Sequence, residues 1–480
     1  MTRPNILIVM TDHQRADTAL PGHPSITPNL DRLAQEGVTF SETYCPSPHC
    51  CPSRATFFSG LHPSGHGIWN NICNRQALST GLNEGVQLFG ADLAEAGYNL
   101  HYTGKWHVSI EESPKDSGWH EHFVSGTKGT LHGVRWDHYR ELAQQPDATE
   151  RGEGEILRPG YGTFRLYGAD ERKNDHDPTV CREALELIPQ LAEAGEPWGL
   201  YVGFIGPHDP YVVPQRYLDL YDIDDVPLPA SYYDEMADKP AIYGRMREMR
   251  FGQLTEREVR EGIRHFWAYC TYLDDMFGQI LRALEETGQA EETLVLYTSD
   301  HGDYVGDHGL FAKGIPCFKG AYQVPAVIRW PEGVTDPGRT VDAFVSLADF
   351  APTFLDVAGC EMDRHFAGGS LVPFLRDETP PVWRDEMQTQ CNGVELYYTQ
   401  RSVMTKDFKY TFNGFDRDEL YDLRVDPDEM INLADDLAYD LVKRELCGRM
   451  WRFAYEEDDS AINPYITVGL VPYGPAEAFR

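Results

Sequence analysis

Two short blocks are apolar at nearly every position. Asn5-Ile6-Leu7-Ile8-Val9-Met10 and Thr293-Leu294-Val295-Leu296-Tyr297-Thr298 carry no charge. A continuous apolar run, rather than an alternating one, predicts a strand buried on both faces, as in a parallel sheet covered by helices. Trp198-Gly199-Leu200-Tyr201-Val202-Gly203-Phe204 and Tyr98-Asn99-Leu100-His101-Tyr102 read as further strands.

Between the strands the period changes. Ile263, Phe266, Trp267, Cys270, Leu273, Phe277, Ile280, Leu281 and Leu284 recur at spacings of three and four, which predicts a long helix over 255–287 with a core-facing stripe. Thr27-Pro28-Asn29-Leu30-Asp31 reads as a threonine cap with proline in the first turn, followed by Leu30, Leu33 and Ala34 on one face. Further helices are expected over 50–60 and 348–359. The alternation predicts an α/β chain. Thr379-Pro380-Pro381 reads as a boundary, giving a domain of 1–378 and a subdomain of 379–480. The latter holds strand-like pieces over 397–404 and 408–412, then Glu419-Leu420-Tyr421-Asp422-Leu423, and a helix over 434–455. Residues 123–177 are poorly periodic and rich in Gly, Arg and aromatic residues, which suits either a substrate-side insertion or a surface loop.

The residues that follow the strands carry the chemistry. The first apolar block ends at Thr11-Asp12-His13 and the second at Ser299-Asp300-His301-Gly302. Sites in open α/β sheets form at the carboxyl ends of strands. Carboxylates with an added nitrogen suit a divalent ion, although either aspartate alone is equally an ordinary helix cap. In Cys50-Cys51-Pro52-Ser53-Arg54, Cys50 has proline at +2 and arginine at +4. That is the C-x-P-S-R spacing at which sulfatases have a cysteine oxidised to formylglycine; Cys51 has the wrong offsets. Thr103-Gly104-Lys105-Trp106-His107, Gly206-Pro207-His208-Asp209-Pro210 and Gly306-Asp307-His308-Gly309-Leu310, running on to Lys313-Gly314, complete the set.

In this order the motifs resemble those of the type I sulfatases, the formylglycine-dependent branch of the alkaline phosphatase superfamily, over nearly the whole chain. The resemblance implies a large mixed, mostly parallel sheet flanked by helices, with a small C-terminal α+β subdomain whose antiparallel part includes 418–433. It implies that Asp12, Asp300 and His301 hold a divalent metal, usually Ca2+ in that family. His13 stands where many members have a second aspartate. Either it coordinates, which favours Mn2+, or it turns away and leaves a water; Mg2+ is a further candidate. Formylglycine made from Cys50 would be the nucleophile, its hydrate carrying two hydroxyls on one carbon.

Further roles follow from the same resemblance. Arg54 would brace the nucleophile and the metal carboxylates, and Lys105 and Lys313 would clamp sulfate oxygens. His208 would protonate the departing alcohol, and His107 would deprotonate the second hydroxyl. Asn71, His308, Arg135 and Trp136 are candidates for the substrate side. The implied activity is hydrolysis of a sulfate ester, with a carbohydrate sulfate expected and choline and aryl sulfates open. The rivals are a phosphonate monoester or phosphodiester hydrolase on the same scaffold, in which the resemblance suggests no Lys-x-His pair, and a non-catalytic sugar-binding relative. A formylglycine-generating enzyme is implied as the maturation partner.

Composition narrows the partners. The net charge of −34 over 480 residues repels nucleic acid and anionic membranes. It also requires Arg54, Lys105 and Lys313 to reverse the field locally for an anionic substrate. No apolar run reaches the length of a membrane span. Met1-Thr2-Arg3-Pro4 enters the first strand without a signal-peptide pattern, so a cytoplasmic location is expected. The ten cysteines are scattered and form no Cys-x-x-Cys pair, so they read mostly as reduced thiols. A homo-oligomer is compatible with all of this.

The motif spacing generates one test. Fragmentation mass spectrometry of the tryptic peptide 33–54 from active enzyme should place formylglycine at Cys50, with Cys45 and Cys51 unaltered. Full activity with an intact thiol at Cys50 would contradict the assignment.

Overall fold

The uncharged runs become the centre of one sheet. The computed structural model describes residues 3–72, 77–127, 136–170, 175–393, 396–462 and 465–480. The main sheet is built from β1 (Asn5–Thr11), β2 (Val38–Tyr44), β3 (Asn99–Lys105), β4 (His120–Ser125), β5 (Trp198–Gly203), β6 (Thr293–Ser299), β7 (Ala326–Arg329) and β8 (Arg339–Ser346). Their spatial order is β8-β2-β7-β6-β1-β5-β3-β4. Every pairing is parallel except those of β7, which runs antiparallel between β6 and β2. The three adjacent strands β6, β1 and β5 are buried at every position, which is why their sequences do not alternate.

This topology brings the carboxyl ends of β1, β2, β3, β5 and β6 to one edge. Register sharpens the convergence. Thr11 pairs with Ser299, so Asp12 and Asp300 leave the sheet side by side. Met10 pairs with Gly203, and Gly203 with Gly104, which places Lys105 at the same level. Gly104 has φ +106°, and a Cβ there would lie 2.0 Å from the Gly203 carbonyl oxygen. Only glycine permits that close approach at the strand end.

The helices follow from local signals and from one distant carboxylate. They are α1 (Pro28–Glu36), α2 (Cys50–Ser59), α3 (His176–Ala194), α4 (Glu256–Glu286), α5 (Phe350–Ala358) and α6 (Asp440–Glu456). A capping box between Thr255 and Glu258 starts α4, whose predicted apolar stripe is buried. The expected threonine cap of α1 is corrected: the Thr27 side chain makes no cap bond. The carboxylate of Asp274, in α4, accepts from the amides of Asn29 at 3.1 Å and Leu30 at 2.8 Å. A charged acceptor with two oxygens satisfies two orphan donors where a hydroxyl would satisfy one.

Residues 123–177 are more regular than their pattern predicts. They contain a short helix, Trp136–Leu142, and an antiparallel hairpin of Glu155–Arg158 with Gly162–Arg165. Tyr167–Ala169 pairs in parallel with Tyr211–Val213. A second, antiparallel sheet runs in sequence order through β9 (Glu386–Cys391), β10 (Gln400–Thr405), β11 (Phe408–Asn413) and β12 (Glu419–Asp422). Val403, Tyr410, Phe412 and Leu420 pack there with Leu446, Met450 and Trp451 of α6. That helix starts later than predicted, after a 3-10 turn at Leu437–Tyr439. No described cysteine forms a disulfide. Among the described residues, no helix is long and apolar enough to cross a membrane.

The Asp274 cap yields a stability prediction. Burial pushes its carboxyl up from 3.8 to about 6, against the amides of Asn29 and Leu30, which pull it down. Folding therefore favours the neutral acid, and this site's contribution to stability falls as pH rises through 4–6. The loss is complete above that window and amounts to about 3 kcal/mol. In Asp274→Asn the melting temperature relative to the wild type should rise steadily between pH 4 and 6 and then level off. Parallel melting curves across that range would contradict it.

Candidate active site

The floor of the site is a cluster of buried charge. Asp12, His13, Cys50, Arg54, Asp300 and His301 are all inaccessible to solvent or nearly so. Cys50 is the first residue of α2, at the positive end of the helix dipole. Its Sγ lies 3.7 Å from Asp12 Oδ1 and 3.3 Å from His301 Nε2. Asp12, His13, Cys50 and His301 each bring one donor atom within 4.8 Å of the others. Asp300 Oδ1 stands 3.8 Å from His301 Nε2.

Arg54 joins these parts. It sits four residues after Cys50 on the same helix, so both side chains face the same way. Its Nε donates to Asp300 Oδ2 at 2.7 Å, and its Nη1 donates to the Lys105 carbonyl and to Tyr201 Oη, each at 3.0 Å. Nη2 lies 3.8 Å from Asp12 Oδ2, buried and without a hydrogen-bond partner. Asn71 meets the same helix start, its Oδ1 accepting from the Cys51 amide at 3.1 Å.

The two floor imidazoles are oriented from behind. His301 Nδ1 lies 2.8 Å from the Gly302 carbonyl, which orients the ring with Nε2 toward Asp12 and Cys50; burial pulls it down, but Asp300 and Cys50 hold it above the ordinary histidine range. His13 Nδ1 lies 2.9 Å from Asp303 Oδ2, which also accepts from Tyr211 Oη at 2.8 Å. Its Nε2 therefore faces Asp12 Oδ1 at 3.8 Å and the ammonium of Lys313. His13 and His107 adopt left-handed backbone conformations, with φ 71° and 54°. Such strain persists where surroundings over-determine the residue, as at functional sites. Two carboxylates and two inward-facing imidazole nitrogens, each ring held by an acceptor behind it, would fit a divalent ion, which would replace the proton on His301 Nε2. His13 is turned into the cluster, where its Nε2 meets the Lys313 ammonium.

The rim carries cations and proton carriers. Lys105 donates to Asp12 Oδ2. Lys313 Nζ contacts His13 Nε2 and lies 3.1 Å from His208 Nε2. His208 Nδ1 lies 2.6 Å from the Asp209 carbonyl, and its ring centroid stands 3.9 Å from that of His13. The His107 amide donates to the Gly126 carbonyl at 3.3 Å. His107, His208 and Lys313 are half-exposed, whereas Lys105 is buried.

Electrostatics separate the two layers. Burial raises the Cys50 thiol, but Lys105, Lys313, His301 and a hydrogen bond with His107 together hold it well below its ordinary range. Burial and Cys50 push the Asp12 carboxyl up; Lys105, His208 and His13 outweigh them and keep it ionised. Burial opposes the charge on Lys313, yet Cys50 and Asp12 hold it above the usual lysine range. Burial and then Lys313 hold His208 below the ordinary histidine range. The site is a locally cationic rim over a buried anionic floor, in a chain of net charge −34.

The remaining sequence candidates fare differently. His308 is drawn away, its Nδ1 2.7 Å from Asp234 Oδ2 and its ring stacked 3.5 Å from Phe318. Left-handed residues at His308 and Ala312 flank the stretch that leads to Lys313. Trp136 is 66 % exposed and packs edge-on against Tyr139. Arg135 lies outside the described residues. Two carboxylates outside the candidate set support it from behind: Asp303, which meets His13 Nδ1, and Asp177, which accepts from the amides of Ile205 and Gly206 and holds the His208 loop. Asp303 was discoverable, as a second carboxylate just beyond the same strand; Asp177 gave no signal.

The family model described as Sulfatase matches residues 4–360, which contain every residue of this constellation. The chain belongs to the sulfatase family. A second model, described as N-sulphoglucosamine sulphohydrolase, C-terminal, matches residues 306–456. The chain is 30 % identical to the uncharacterized sulfatase YidJ of Escherichia coli, over 93 % of this chain and 86 % of that one. It is 27 % identical to an N-acetylglucosamine-6-O-sulfatase of Bacteroides thetaiotaomicron, over 92 % and 85 %. Its structure is similar to that of a phosphonate monoester hydrolase of Agrobacterium radiobacter, with a TM-score of 0.77, 26 % identity and coverage of 95 % and 96 %. The fold is that of the alkaline phosphatase superfamily.

This sulfatase site predicts where metal is held. Elemental analysis should show tightly bound divalent ion falling at least tenfold in His301→Ala, as expected when a ligand is removed, while His308→Ala keeps the wild-type content. Equal ion content in both variants would contradict the assignment.

Proposed function

We propose that this protein hydrolyses the sulfate ester of a carbohydrate, with formylglycine at Cys50 and a divalent ion held by Asp12, His13, Asp300 and His301. When present, these groups supply a hydroxyl nucleophile on a carbon bearing a second hydroxyl, and a fixed positive charge beside it. The observation that carries the reading is the placing of Lys105, Lys313, His107 and His208 around Cys50.

The chain's own residues divide the work. Lys105 and Lys313 hold sulfate oxygens where negative charge grows in the transition state. Arg54 keeps Asp300 in place, and its unpaired Nη2 adds positive charge near Asp12. In the free enzyme burial and then Lys313 hold His208 below the ordinary histidine range, with Nδ1 facing the Asp209 carbonyl and Nε2 facing Lys313. A bound sulfate takes the Lys313 ammonium to its own oxygens and its negative charge favours a proton from water on His208 Nε2, from which that proton passes to the departing oxygen while Lys313 keeps its charge. His107 hydrogen-bonds Cys50 and takes the proton whose loss completes turnover.

A carbohydrate is favoured by the relative acting on N-acetylglucosamine sulfate and by the exposed aromatic group of Trp136, Tyr139 and Tyr161, the last capped by Arg158. The similarity to a phosphonate monoester hydrolase supports a second reading. Against it stands the Lys105-x-His107 pair.

Rates on sulfated sugars, aryl sulfates, phosphonate monoesters and phosphate diesters test the reading. Sulfate esters should be turned over fastest. His208→Ala should lose about 10²- to 10⁴-fold on sugar sulfates, whose alkoxides need a proton, and far less on nitrophenyl sulfate. Equal losses on both would remove His208 from its role. Faster turnover of every phosphonate and diester would overturn the sulfatase reading.

A further inference from the structure

Away from the catalytic edge, three histidines gather where the main sheet ends. His120 and His122 are two apart on β4, so they project from the same face. His101 of β3 pairs directly with His120 across the parallel ladder. The His101 ring centroid lies 5.2 Å from that of His120 and 5.2 Å from that of His122. β4 is the edge strand, and His120 and His122 are exposed.

Hydrogen bonds fix the chemistry of this group. His101 Nε2 lies 3.0 Å from Asn99 Oδ1, and His101 Nδ1 lies 2.9 Å from His122 Nε2. The amide oxygen can only accept, so His101 carries its proton on Nε2 and offers a lone pair at Nδ1. His122 Nε2 then carries the hydrogen directed at that lone pair. An imidazole whose outer nitrogen donates to a fixed oxygen, while the inner one presents a lone pair to a second imidazole, has the outer support typical of a metal-binding histidine. Glu183, on α3, acts electrostatically on His122 and supplies a nearby carboxylate. Burial, and then His122 and His120, hold His101 down at about 4, so it is neutral at physiological pH.

We propose that His101, His120 and His122 form a second metal site, for a borderline transition ion such as Zn2+, Ni2+ or Cu2+, at the open edge of the main sheet. The ion takes the position now held by the proton between His101 Nδ1 and His122 Nε2. That proton leaves to water or moves to His122 Nδ1. Two nitrogens about 2.0–2.1 Å from one tetrahedral ion stand roughly 3.4 Å apart, so the pair opens by about half an ångström. Rotation of the exposed His120 ring brings the third nitrogen. Imidazole ligands distinguish this ion from the oxygen-preferring Ca2+ and Mg2+. Its structural effect is to tie the edge strand to β3, whose far end delivers Lys105.

The test uses full-length enzyme with its catalytic ion in place, titrated with Zn2+ by calorimetry and with Cu2+ by electron paramagnetic resonance. The wild type should take up one additional equivalent of Zn2+, and the Cu2+ spectrum should show imidazole nitrogen couplings. His101→Ala, His120→Ala and His122→Ala should each lose this binding while sulfate-ester turnover is kept. Asn99→Ala should weaken it about 10- to 100-fold, because the support behind His101 is lost. Since His120 and His122 are exposed, their variants remain folded for the comparison. Zn2+ binding unchanged in His120→Ala and His122→Ala, or a Cu2+ spectrum without nitrogen couplings, would overturn the proposal.

Discussion

The Arg54–Asp300 ion pair is the interaction on which this site rests. Both side chains are inaccessible to solvent. Removing one partner from such a pair leaves an uncompensated buried charge and costs about 3–5 kcal/mol. The pair also does geometric work. Arg54 is fixed to Cys50 by one helical turn, and Asp300 to Asp12 by strand register. A single hydrogen bond of 2.7 Å therefore locks a helix start onto two strand ends. Lys105 enters the same lock through its carbonyl, which accepts from Arg54, while its ammonium reaches Asp12.

From that lock follows the division into floor and rim. The floor is buried and satisfied mainly by its own members, so its charges feel each other at low dielectric. The rim, half-buried at His107, His208 and Lys313 and buried at Lys105, offers lysine and histidine to meet a substrate and pass protons. Local cations over the Cys50 helix start reconcile an anionic substrate with a strongly anionic chain. Field reversal is cheap here because the helix dipole, Arg54, Lys105 and Lys313 all act within a few ångströms of one another.

What could be seen in the sequence was whatever obeys a short-range rule. Continuous apolar runs marked β1 and β6 because both faces of those strands are buried. Strand ends marked Asp12 and Asp300, and a spacing of four marked Cys50 with Arg54. The sulfatase resemblance supplied roles for Lys105, His107, His208 and Lys313, and the structure brings these around Cys50. Relations between distant segments were not visible. Asp274 caps a helix about 245 residues away in sequence, and Asp177 holds the His208 loop from the first turn of α3. The partners of His308 were equally out of sight, since Asp234, which its Nδ1 meets at 2.7 Å, lies 74 residues away in sequence. The segment 123–177 hid its hairpin because its strands are short and lie partly exposed, so they need no apolar alternation.

The central claim is that turnover depends on two hydroxyls on the carbon at position 50, one to attack sulfur and one to release it. Cys50→Ser offers only the first. Mass spectrometry of this variant after exposure to a sulfate ester measures the consequence directly. The account predicts one equivalent of alcohol released, a stable SO3 adduct on the substituted side chain, and no further turnover. Sustained wild-type turnover by Cys50→Ser, or alcohol release with no adduct at that position, would contradict it.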